Sequence, residues 1–199
     1  MKNISLAALA LSVIAASGSV FAEDPVGPVK GGSGKISFTG LINNDACSID
    51  GANNDRVIAI DMGNVSVKDM GTAESPASGR VTGKGIDLNV NCNLGTKVSM
   101  IFDANSGGSG LVTGKKVLAL TKGTGTAKNV GIALLDSDGK LIDLSSKASA
   151  KIQSDMHGDG AAGGDAILSF SAAYVTTGEA GTATAGRGDA TLPFILQYE

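Results

Sequence analysis

The sequence predicts an all-β domain of the sandwich type, on three observations. Glycine is plentiful, with 29 in 199 residues, and Thr, Ser and Val recur between turn residues. No long segment repeats apolar residues at i, i+3, i+4 and i+7, so helix is a minor component at most. Seven or eight short strand-like runs share the chain with one cysteine pair that joins two early ones, the pattern of an immunoglobulin-like architecture. The tryptophan of a true antibody-type domain is missing, so the likeness is to the architecture and not to that family.

In chain order, residues 1–22 carry a basic start at Lys2, an apolar run over 4–16 and a small-residue end at Ala22, which reads as a secretory signal peptide cleaved after Ala22. The run is too short to remain as a membrane span, and no later stretch reaches the ~18 apolar residues one needs. The mature chain is therefore expected to be exported, and soluble or assembled outside the inner membrane. Residues 23–34, EDPVGPVKGGSG, hold two prolines and four glycines and read as a mobile tail. In the next segment Ile36, Phe38, Gly40 and Ile42 share one face of an extended strand, a parity that reaches back to Gly34. Further strands are expected at 57–62, 85–92, 98–103, 116–121, 130–135, 167–176 and 190–198, with turns at 105–110, 136–139 and 159–164.

Cys47 and Cys92 are the only cysteines, and an oxidising destination makes them one disulfide. Closing that loop is worth about 4 kcal/mol in the chain-entropy model. Without Lys2, 15 basic residues face 19 acidic ones, a net charge of −4 with no clustered Lys or Arg, which argues against nucleic acid as a partner.

Candidate chemistry is thin. The single histidine, His157, sits in a turn-like stretch with Asp155 and Asp159, and the calcium-loop pattern that these and Asp165 suggest lacks its closing Glu. The glycine-rich stretches at 31–34 and 107–110 lack the context of a phosphate loop and read as turns. Nothing selects a carboxylate pair for glycoside hydrolysis, and aromatic residues for stacking a sugar are few. The sequence therefore predicts no enzyme, no cofactor and no metal site.

The ends of the mature chain stand out instead. In the last strand Leu192, Phe194, Leu196 and Tyr198 share one face, and nothing after it is expected to cover that edge. A detachable alternating segment at one end and an open apolar strand at the other are two halves of a strand addition. On pattern alone, residues 34–42 fit the domain's own first strand equally well.

GKISFTGLI at 34–42, ACSI at 46–49, VNC at 90–92, VGIALLDSDG at 130–139 and FILQY at 194–198 together carry a resemblance. Through them the chain resembles the pilins of chaperone-usher fimbriae, in particular single-domain major or shaft subunits of the type 1 and P pilus kind. It implies an incomplete immunoglobulin-like sandwich lacking its last strand, completed by a donor strand from a chaperone or from a neighbouring subunit. It divides the chain into a signal peptide (1–22), an N-terminal extension with the donor strand (23–43) and a pilin domain (44–199). Gly34, Ile36, Phe38, Gly40 and Ile42 would face the neighbour's groove, and Leu192, Phe194, Leu196 and Tyr198 would form the acceptor edge. Cys47 and Cys92 match the family disulfide. The partners implied are a periplasmic chaperone, an outer-membrane usher and identical or related pilin subunits, on the way to a cell-surface fimbria. A minor adaptor subunit and a carbohydrate-binding adhesin module are the alternatives. Pro193 departs from the pattern, because it removes one backbone donor from the edge strand.

Overall fold

The computed structural model describes residues 35–37, 47–52, 56–77, 83–158 and 163–199. The chain divides into two compact units, Met1–Thr39 and Gly40–Glu199. Of the first, Lys35, Ile36 and Ser37 are described; they form no strand, and Ile36 is exposed. The expected signal peptide, the tail at 23–34, and Gly34, Phe38, Gly40 and Ile42 lie outside the described residues.

The second unit is built from strands, with one 3-10 turn at Val67–Asp69. The strands are β1 (Cys47–Ile49), β2 (Gly71–Thr72), β3 (Gly83–Cys92), β4 (Lys97–Phe102), β5 (Leu118–Ala119), β6 (Val130–Leu135), β7 (Lys151–Asp155), β8 (Gly164–Thr176) and β9 (Phe194–Tyr198). One sheet has the order β1-β3-β8-β6-β5, with β2 added in parallel to the end of β8, and the other has the order β7-β4-β9.

Period-two alternation explains how the sheets face each other. Ile86, Leu88, Val90 and Cys92 of β3 point inward while Asp87, Asn89 and Asn91 face solvent. Leu168 and Phe170 of β8 flank them in the same sheet, and Val98, Met100 and Phe102 of β4 meet them from the other layer. Phe102 and Phe170 meet edge to face across the sandwich, ring centroids 5.4 Å apart. β6 is buried along its whole length because both faces are covered. Val130, Ile132 and Leu134 join the main core, whereas Ala133 packs with Ala73, Val117 and Val175 in a second cluster.

The turn expected at 136–139 is present. The Asp136 carboxylate accepts the N–H groups of Asp138 and Lys140, at 3.0 and 2.8 Å. Gly139 takes the left-handed conformation (φ +77°) that closes this hairpin.

Two loops are tied down by ion pairs. Asp103, itself buried, accepts from Lys147 Nζ at 2.5 Å and from the Ser106 hydroxyl at 2.6 Å, and these two bonds hold its pKa below the ordinary carboxylate value. Asp143 accepts from Lys116 at 2.7 Å and from the Ser145 hydroxyl and N–H, and its pKa falls to about 2, the Lys116 bond being the largest cause. A carboxylate depressed in the folded state stabilises fully above its unfolded pKa, near 4, and loses that contribution as pH falls through the folded value. Asp143→Asn should therefore lower the denaturant midpoint at pH 7. The gap from the parent should close as pH falls from about 4 to about 2. A gap unchanged across that range would show that the carboxylate charge is not the cause.

Several strand expectations need correction. Residues 57–62 alternate like a strand but belong to no strand among the described residues. The strand expected at 116–121 shrinks to Leu118–Ala119, extended by a single bridge from Leu111 to Leu118. β7 was not foreseen: its only buried residue is Ile152, too few for an alternating signal.

Candidate strand-docking groove

Among the described residues the two sheets do not close on one side: β9 pairs only with β4, and β1 only with β3. Between these edges the sandwich interior opens as a groove of about 1200 Å³.

Its floor is the core itself: Leu88, Met100, Ile132, Leu134 and Phe170 all reach it. One wall is β9, with Phe194, Leu196 and Tyr198 on the groove side and Leu192 just before them. The opposite wall is the segment after β1, where Ile58 and Met62 pack against the core while Val57 and Ile60 are exposed beside the opening. The Cys47–Cys92 disulfide fastens β1 directly opposite the end of β3, and Cys47, Ser48 and Ile49 line the groove there.

The ladder shows which backbone groups of β9 face away from β4. Glu199 and Lys97 exchange both backbone hydrogen bonds, at 3.0 and 3.2 Å, and in an antiparallel pair the bonded positions alternate. Gln197 and Ile195 therefore turn their N–H and C=O towards β4. Phe194, Leu196 and Tyr198 turn theirs outward, along the groove, where no strand among the described residues pairs with them. The side chains of Phe194 and Leu196 face inward on the same residues, so each offers a groove occupant apolar contact and main-chain bonding together.

Pro193 does not break this edge. It lies one residue before β9, and its position in the alternation puts its missing N–H on the β4 side. Its carbonyl still accepts from Asp103 N–H at 2.8 Å, and the Asp103 carbonyl, left without a proline donor, accepts from Ser106 N–H at 3.1 Å.

One end of the groove is polar. Asp61, Arg187 and Asp189 line it, and the Arg187 Nε–H donates to Asp189 at 3.0 Å. Tyr174 sits beside them with its hydroxyl donating to the Gly188 carbonyl at 3.0 Å. Burial pushes its pKa up, and the charges of Asp189 and Asp61 add to that.

The other residues singled out from the sequence have structural partners. His157 exchanges backbone bonds with Asp165 at 2.7 and 3.1 Å, the Asp165 carboxylate accepts from Asn91 at 2.6 Å, and Asp155 lies 3.6 Å from Lys97 Nζ. Asp159 lies outside the described residues. Among the described residues no three His, Cys, Asp or Glu side chains come together as a metal site would require. Of the proposed donor residues only Ile36 is described. The far wall and the floor of the groove were not identified from sequence; the alternation at 57–62 was the one available signal for the wall.

Comparison with known proteins places this geometry. A family model described as Fimbrial protein matches residues 36–199. The type-1 fimbrial protein A chain of Escherichia coli is 28% identical over 201 aligned positions, covering all of both chains. Long polar fimbria protein A of Salmonella typhimurium is 29% identical, covering all of this chain and 98% of its own. Among solved structures, a chain from a chaperone-usher pilus whose structure addresses rod uncoiling superposes with a TM-score of 0.53 at 22% identity, over 86% of this chain and 99% of that one.

Proposed function

The chain belongs to the fimbrial protein family and is a structural subunit of a fimbria, and we propose that it polymerises head to tail by donor-strand complementation. In this reading residues 1–22 direct export, residues 23–43 form the extension that carries the donor strand, and residues 44–199 form the pilin domain. Gly34, Ile36, Phe38, Gly40 and Ile42 enter the groove of a neighbouring subunit, and Leu192, Phe194, Leu196 and Tyr198 receive them. A periplasmic chaperone fills the groove first, and an outer-membrane usher exchanges it for the next subunit at the cell surface. No catalytic step is involved.

The observation that carries this reading is the coincidence, on β9, of backbone groups turned away from β4 with the apolar core residues that line the groove beside them. An exposed strand edge invites a further strand, and a strand laid there supplies hydrogen bonds and burial together. Burial contributes about 25 cal/mol per Å² of apolar area, so assembly proceeds without nucleotide hydrolysis. A head-to-tail contact that does not close on itself gives open filaments instead of rings.

Electron microscopy of expressing cells, with antibody to this protein, tests the proposal. Labelling along the length of filaments is the expected result. Labelling at filament tips alone would favour a minor adaptor or an adhesin, and cells without labelled filaments would overturn the reading.

A further inference from the structure

The glycine-rich stretch at 107–110 has a place in the fold beyond that of a turn. Gly107 and Gly110 adopt left-handed φ values of +85° and +79°, but Gly108 does not, so its lack of a side chain has another cause. A Cβ on Gly108 would collide with the Thr191 carbonyl oxygen and lie 2.5 Å from Pro193 Cδ. The loop thus touches the chain immediately before β9.

Its neighbour Ser109 grips the same point twice. The Ser109 N–H donates to the Thr191 carbonyl at 2.9 Å, and the Thr191 N–H donates to Ser109 Oγ at 2.8 Å. That hydroxyl also meets Thr121 Oγ1 at 2.9 Å, which ties the grip to the body of the domain next to β5. Asp103 adds its N–H to the Pro193 carbonyl. β9, paired with β4 alone among the described residues, is therefore anchored at its start by this loop.

We infer that Gly108 and Ser109 are positioning residues for the groove wall: they set where β9 begins, and so where Phe194, Leu196 and Tyr198 present their backbone groups to an incoming strand. This rests on the strand-docking reading above. Hydrogen bonds to such an edge weaken steeply when distance or angle drifts, so a wall displaced at its start holds a strand less well.

The test compares backbone hydrogen exchange in assembled fibres of the full chain. Gly108→Ala should speed exchange over 194–198 about five- to thirtyfold and leave β3 and β8 at parent rates, because only a local opening changes. Ser109→Ala should act in the same direction, and Ser109→Thr, which keeps the hydroxyl, should restore parent behaviour. If Gly108→Ala yields no protein, the two Ser109 variants decide the matter. Parent-like exchange over 194–198 in Ser109→Ala, or equal acceleration in β3, β8 and β9, would overturn the inference. If the parent chain itself forms no fibres, the strand-docking reading falls, and this inference with it.

Discussion

Removing residues 23–42 is expected to abolish fibre formation while leaving protein that can be recovered with its chaperone. The deleted segment holds Ile36, Phe38 and Ile42 at alternate positions, three large apolar side chains on one strand face. Each such side chain contributes about 1.5–3 kcal/mol when moved from water into an apolar groove. Bonds to the outward groups of Phe194, Leu196 and Tyr198 add about 1 kcal/mol apiece. Losing all of these together removes the whole attraction between subunits and not a fraction of it. The acceptor groove is intact in this variant, so a chaperone strand can still fill it. Leu196→Asp is the complementary change. It places a charge on the groove wall, and it should lose the chaperone complex as well as the fibre. Filaments of normal number from the deletion, counted by electron microscopy, would rule out residues 23–42 as the donor.

Replacing both Cys47 and Cys92 with serine should lower the stability of the strand-filled domain by about 4 kcal/mol, the value expected for closing a loop with a sequence separation of 45. The effect should not be confined to the unfolded state. β1 is three residues long, and among the described residues it pairs only with β3, so the disulfide adds a covalent anchor to a short ladder. Cys47, Ser48 and Ile49 line the groove, and a β1 that frays takes that end of the wall with it. Denaturation of the purified chaperone complex with and without reductant measures the first effect, and its dissociation rate measures the second. An unchanged midpoint on reduction would show that β1 is held by other means.

How much of this was legible in the sequence follows from which signals are local. β6 was read with its final boundaries, Val130–Leu135, because an apolar run that ends in Asp136-Ser-Asp-Gly139 marks strand and turn within ten residues. β3, β4, β8 and β9 were found to within a few residues for the same reason. The segment 57–62 was read as a strand because Ile58, Ile60 and Met62 alternate. Alternation reports a face and not a partner. The floor could not be read at all: Leu88, Met100 and Phe170 look like ordinary core residues, and only their place along the groove distinguishes them. The role of Pro193 was also beyond the sequence, since the side its missing N–H takes depends on the register with β4.

That register has a mechanical consequence. A strand bonded on one side is the place where a sheet under load would slip, and a shift of one residue would turn Phe194 and Leu196 out of the core. The smallest slip that keeps them facing inward is two residues. In one direction this slides Pro193 from its place opposite Asp103 to one opposite Ile101, inside the ladder, where the Ile101 carbonyl would face a nitrogen without hydrogen. A slip in that direction would leave the Ile101 carbonyl without a donor, whereas in the observed register the Asp103 carbonyl opposite Pro193 is met by the Ser106 N–H.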